Sequence, residues 1–160
     1  MKSKPKIAVF ASGNGSNFQA IVDATKKHDL HADVVAVVTD RPQAYVVERA
    51  AAAGVPVIAI RPKDFASKME YEQAILTELT KLDVEWLILA GYMRLIGETL
   101  LEAYANKIVN IHPSLLPSFP GKDAIGQALA HGVKVTGVTV HTVDAGMDTG
   151  PILAQKAVDI

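Results

Sequence analysis

Asn110 and His112 close an apolar run, Ile108-Val109-Asn110-Ile111-His112, and stand two residues apart. On a strand that spacing puts both side chains on one face, at the C-terminal end. Polar groups ending a buried strand cost free energy unless they are hydrogen-bonded or put to use. The strand alone allows both readings: a satisfied structural pair, or a working one in which Asn is an oxyanion donor and His a proton carrier. The loop Asp144-Ala145-Gly146-Met147-Asp148-Thr149-Gly150 has the composition of a plain turn. It could also bring an Asp to His112, orienting the imidazole and favouring its charged form. No Gly-x-Ser-x-Gly elbow marks a serine nucleophile.

A second kind of chemistry is available where Phe10 gives way to Ala11-Ser12-Gly13-Asn14-Gly15-Ser16-Asn17-Phe18-Gln19. Its glycines permit tight turning, Ser16 with Gln19 reads as a capping box, and the free amides of a helix start attract an anion, most naturally a phosphate. The segment lacks the third glycine of a dinucleotide fingerprint and the Lys of a P-loop, and an ordinary strand-to-helix turn would look the same. Metal binding is not expected. His112, His141, Asp144 and Asp148 are ligand types, but they form no recognised pattern, and His141 and Asp144 fall on opposite faces of an extended strand. His28, His31 and His131 lie in polar surroundings near helix ends and read as solvated.

These groups need a scaffold, and the chain supplies one by alternation. Nearly continuous apolar runs, as strands covered on both faces require, occur at Ile7 to Phe10, Val34 to Val38, Val55 to Ile60, Trp86 to Ala90 and Ile108 to Ile111. Between them Asn17 to Lys27, Tyr45 to Ala53 and Lys68 to Leu82 carry apolar residues at helical spacing, with Gly54 as a stop and Ser67 to Glu70 as a capping box. Pro113, Pro117 and Pro120 then fix a stiff loop, before a helix from Asp123 to Ala130 and strands from Gly137 to Val143 and Ile152 to Val158. The pattern is α/β: a mostly parallel sheet in one domain.

Composition excludes several classes. The 160 residues hold 16 Lys+Arg against 17 Asp+Glu, a net charge of -1, so nucleic acid and anionic membrane are poor partners. With no Cys there is neither a disulfide framework nor a thiol nucleophile. No apolar run reaches spanning length and no signal sequence is evident, so a cytoplasmic protein is expected.

Gly13-Asn14-Gly15-Ser16-Asn17, Ala90-Gly91-Tyr92-Met93-Arg94, Asn110-Ile111-His112-Pro113-Ser114-Leu115-Leu116-Pro117 and Met147-Asp148-Thr149-Gly150-Pro151, in this order, resemble the phosphoribosylglycinamide formyltransferase family. The resemblance implies a Rossmann-like, mostly parallel sheet with helices on both faces. It also implies transfer of a formyl group from 10-formyltetrahydrofolate to the amine of glycinamide ribonucleotide in purine synthesis, without a metal. By the same resemblance Gly15, Ser16 and Asn17 hold the substrate phosphate. Met93, Arg94, Leu95, Ile96 and Asn110 bind the folate, and Asn110, His112 and Asp148 are catalytic. The expected state is monomer or homodimer, with residues 1–160 a single formyltransferase domain lacking the family's C-terminal segment. Thr142 and Ala145 depart from the family's aromatic and acidic residues, so the acidic loop is expected to pack differently.

Overall fold

The computed structural model describes residues 3–146 and 148–160, so Met1, Lys2 and the Met147 of the acidic motif lie outside the described residues. The described strands are β1 (Lys6–Phe10), β2 (Asp33–Thr39), β3 (Val57–Ala59), β4 (Trp86–Leu89), β5 (Ile108–His112), β6 (Val135–Thr142) and β7 (Ile152–Asp159). They form one seven-stranded sheet in the order β3-β2-β1-β4-β5-β6-β7. The first five are parallel, and β6 and β7 add antiparallel at one edge. Because β1 leads outward to β2 while β4 leads the other way to β5, the order in which strands are added reverses between the parallel neighbours β1 and β4. In open parallel sheets a crevice for ligands opens at such a point, beyond the carboxyl ends of the strands.

The continuous apolar strands are explained by two cores, one on each face. Ala8, Phe10, Val38, Leu87 and Leu89 meet α3 (Lys68–Lys81) and α4 (Glu98–Ala103) through Tyr71, Ile75, Leu79 and Leu100. Ile7, Val9 and Val37 point the other way, against α1 (Ser16–Lys26) and α2 (Tyr45–Ala53) through Phe18, Val22, Val46 and Ala50. Each central strand therefore serves both faces by simple alternation.

Local chemistry sets the boundaries. Gly54 ends α2 in the left-handed region at φ 71°. Ser67 caps α3 by accepting from the Glu70 amide at 3.2 Å, while the Glu70 carboxylate reaches one residue further back, to the Ala66 amide. The expected capping box at α1 does not form. Gly15, at φ 80°, is the N-cap and makes no side-chain cap, and Gln19 bonds Asp23 instead. The run at Val55 to Ile60 yields a strand of only three residues, and Pro56 contributes just a carbonyl, which accepts from the Val37 amide. The six-residue α4 was not anticipated from the sequence.

The proline loop after β5 is knitted to the antiparallel edge. Thr139, fully buried on β6, donates its hydroxyl to the Ser114 carbonyl at 2.7 Å and accepts from the Leu116 amide at 3.0 Å. Gln155 on β7 donates to the Leu116 carbonyl at 2.9 Å and to the Thr139 hydroxyl at 3.0 Å. Beyond the loop, α5 (Ala124–His131) is capped by Asp123, whose carboxylate accepts from the Gly126 amide.

Candidate active site

The carboxyl ends of β1, β4 and β5 carry three of the loops singled out by sequence, all at one end of the parallel strands. β1 ends at the glycine turn, where Gly15 lets the backbone swing into α1 with Val46 directly behind it. A Cβ at Gly15 would stand 2.6 Å from a Val46 methyl. The turn is held from α2, with the Val46 amide donating to the Gly13 carbonyl and the Arg49 guanidinium donating to the Asn14 carbonyl and side chain. The first helical bond runs from the Gln19 amide to the Gly15 carbonyl, so the amides of Ser16, Asn17 and Phe18 lie ahead of it. Ser16 and Asn17 are exposed. This is a helix start whose unspent donors suit an anion.

β4 leads into Gly91 to Gly97, and the Ser12 amide on the β1 loop donates to the Gly91 carbonyl at 3.1 Å. The loop presents Met93 and Leu95 to solvent, 70% and 61% exposed, beside Arg94. Met93, Arg94 and Leu95 line one wall of a cleft of 590 Å³ whose other wall is Phe65, Lys68 and Tyr71. A second cleft of 660 Å³, lined by Ser12, Gly13 and Arg61, shares Asp40 and Arg41 with the first. Neither is lined by Asn110, His112 or Asp148.

β5 and the antiparallel strand beside it build the polar centre. Asn110 and His112 share a face, as their spacing requires, and the register sets Asn110 opposite His141 and His112 opposite Thr139. The buried His112 has Nε2 2.9 Å from the Phe119 carbonyl. A carbonyl only accepts, so Nε2 carries a proton and Nδ1 is the nitrogen turned to the acidic loop. Asp148, itself in the left-handed region at φ 55°, places Oδ1 3.6 Å from His112 Nδ1 and 3.7 Å from His141 Nε2. Its Oδ2 accepts from the Gly121 amide at 2.8 Å, which ties the acidic loop to the proline loop.

His141 was considered in the sequence only as a metal-ligand type, and the structure puts it in this centre. It is 2% exposed, its Nδ1 donates to the Thr142 carbonyl at 2.9 Å, and its Nε2 lies 3.2 Å from the Asn110 amide nitrogen. Orientation of His112, expected from an Asp, is shared with the Phe119 backbone, for which no sequence signal exists. Asp144 stands apart. The Gly146 amide and then the Thr149 hydroxyl hold its carboxyl below the usual carboxylate range. Among the described residues no three His, Asp or Glu groups are arranged to hold a metal. His28, His31 and His131 are exposed.

The formyl transferase family pattern matches residues 5–160 of this chain. The chain belongs to the formyl transferase family. Phosphoribosylglycinamide formyltransferase of Bacillus subtilis is 60% identical over 155 residues, covering 97% of this chain and 80% of that protein. The crystal structure of glycinamide ribonucleotide transformylase 1 from Geobacillus kaustophilus superposes with a TM-score of 0.95 at 62% identity, covering 98% of this chain and 84% of that one. Phosphoribosylglycinamide formyltransferase from Bacillus halodurans gives 0.93 at 53%, covering 97% and 80%. As a member of the family the chain is a transferase, and its sheet is the family's fold.

Proposed function

We propose that this chain transfers the formyl group of 10-formyltetrahydrofolate to the amine of glycinamide ribonucleotide, with Asn110, His112 and Asp148 as its catalytic residues. The carrying observation is the convergence of Asp148 Oδ1 on His112 Nδ1, beside Asn110, at the same carboxyl end of the parallel strands as an anion-ready helix start. Gly15, Ser16 and Asn17 take the phosphate of the ribonucleotide. Met93, Arg94, Leu95 and Ile96, in the wall of the 590 Å³ cleft and just beyond it, take the folate with Asn110. The reaction belongs to purine synthesis in the cytoplasm, and its partners are small molecules. Among the described residues no helix is long and apolar enough to cross a membrane.

The amine nitrogen attacks the formyl carbon, forming a C–N bond and placing negative charge on the formyl oxygen. Asn110 donates an N–H to that oxygen, and the lone pair of His141 Nε2 fixes which way the Asn110 amide is turned. His112 Nδ1, when it carries a proton, is the second donor, with its ring held by the Phe119 carbonyl. Such donors contribute about 100- to 1,000-fold each. As the intermediate collapses, the bond to the folate nitrogen breaks. The proton lost by the amine reaches that nitrogen through Asp148 and water, leaving no net proton gained or lost.

The deciding experiment follows deformylation of the folate donor by absorbance, with and without glycinamide ribonucleotide. Loss of formyl only with the amine present is expected. Formate release without it would mean that water is the nucleophile and would overturn the reading.

A further inference from the structure

Two buried carboxylates away from the reacting atoms, Asp40 at 6% and Glu72 at 3% exposure, both point at the loop from Gly91 to Gly97. An ionised carboxylate out of water is costly unless donors surround it, so each requires an account. Asp40, just after β2, accepts the Ser12 hydroxyl at 2.6 Å and Arg94 Nε at 3.1 Å. The same Ser12 hydroxyl oxygen accepts from the Met93 amide at 2.9 Å. Glu72, on α3, accepts from the Gly97 amide at 2.7 Å and the Leu100 amide at 3.3 Å. Among the described residues no Lys, Arg or His nitrogen lies within 4.0 Å of its carboxylate. The loop between these anchors has no helix or ladder of its own, yet it holds Met93 and Leu95 out in solvent.

From this we infer that Asp40, with Ser12, and Glu72 are positioning residues for the formyl donor: they fix the backbone of residues 93–97 from beneath, so that its exposed side chains meet the folate already in place. The inference rests on assigning that loop to the donor. The glycine turn has separate anchors, Val46 and Arg49 on α2, so the acceptor's anion site does not depend on Glu72. Glu72 thus supports the donor loop apart from the acceptor's turn, while Ser12 joins that loop to the head of the turn. Preorganisation of this kind lowers the ordering cost of binding, and it acts on affinity rather than on the chemical step.

The test is steady-state kinetics of Ser12→Ala and Glu72→Gln, each checked for an intact thermal transition, with Arg94→Ala as reference. Gln at position 72 keeps the volume and one acceptor but turns an N–H toward a backbone donor. Both variants are expected to raise KM for the donor by about tenfold, the equivalent of one lost bond to a buried group, with kcat and the acceptor KM within about twofold. If Arg94→Ala raises the donor KM while Ser12→Ala and Glu72→Gln do not, the positioning role is overturned and the donor assignment stands. A donor KM unmoved by Arg94→Ala overturns the assignment and this inference with it. Equal losses across both KM values and kcat would show a structural role only and overturn it as well.

Discussion

Each nitrogen in the polar centre has its proton assigned by its neighbour. Carbonyl partners require N–H at His112 Nε2 and at His141 Nδ1, which leaves His112 Nδ1 and His141 Nε2 facing the Asp148 carboxylate. On the proposed reading Asp148 is the carboxylate that passes the proton on, and its charge is the part that matters. Asp148→Asn is expected to lower kcat by about 100- to 10,000-fold, the usual worth of a proton carrier, while the melting temperature stays near that of the unmodified chain. Turnover near normal would refute the role. Asp144→Asn removes a carboxylate that accepts from the Gly146 amide and the Thr149 hydroxyl, and its kcat is expected within about threefold of normal. The pairing of Asn110 with His112 was readable from a two-residue spacing. The part played by His141 was not, because it depends on the register of an antiparallel neighbour, and that of Phe119 was not, because a backbone carbonyl is the same in every residue.

The elements that could be read were those whose signal is local. Tyr45–Ala53 carries its own periodicity and its own Gly54 stop, and it forms with those bounds. Glu98–Ala103 has six residues and no cap in its own sequence; the amides of Gly97 and Leu100 at its start donate to Glu72, 26 positions before Glu98. At α1 the residue types for a capping box are present, but the left-handed turn at Gly15 sets the helix start and Gln19 faces Asp23 instead. That glycine is under two constraints, a positive φ and a Val46 methyl where a side chain would go. Gly15→Ala is expected to destabilise the protein by more than about 1 kcal/mol and to raise KM for glycinamide ribonucleotide more than for the donor. Urea unfolding and substrate titration measure the two effects, and equal changes in both KM values would argue against a phosphate site there.

At the scale of the whole molecule, stability at high pH is tied to a pair of phenols between sheet and helix. Burial, then the hydrogen bond to Tyr71, pushes the Tyr92 phenol well above its ordinary value of 10.0, and burial also raises Tyr71. The unfolded chain loses these protons first. The stabilisation is therefore complete below about pH 10 and declines above it, by up to about 1.4 kcal/mol per pH unit for one such group. Tyr92→Phe is expected to flatten the fall in unfolding free energy above about pH 10, followed by urea titration. A slope identical to that of the unmodified chain would contradict it.

The edge of the sheet has a bearing on the reaction that its lack of reactive groups conceals. β7 is exposed along its whole length, yet Gln155 spans it to the Leu116 carbonyl and Thr139, in the same loop whose Phe119 carbonyl steadies the His112 ring. Fraying of the outermost strand would loosen the imidazole two strands away. Gln155→Ala is accordingly expected to speed amide hydrogen exchange at Leu116 and Ser118 and to lower kcat by several-fold, with both KM values little changed. On that expectation the turnover rate of this transferase is partly a measure of how firmly β7 stays zipped to β6.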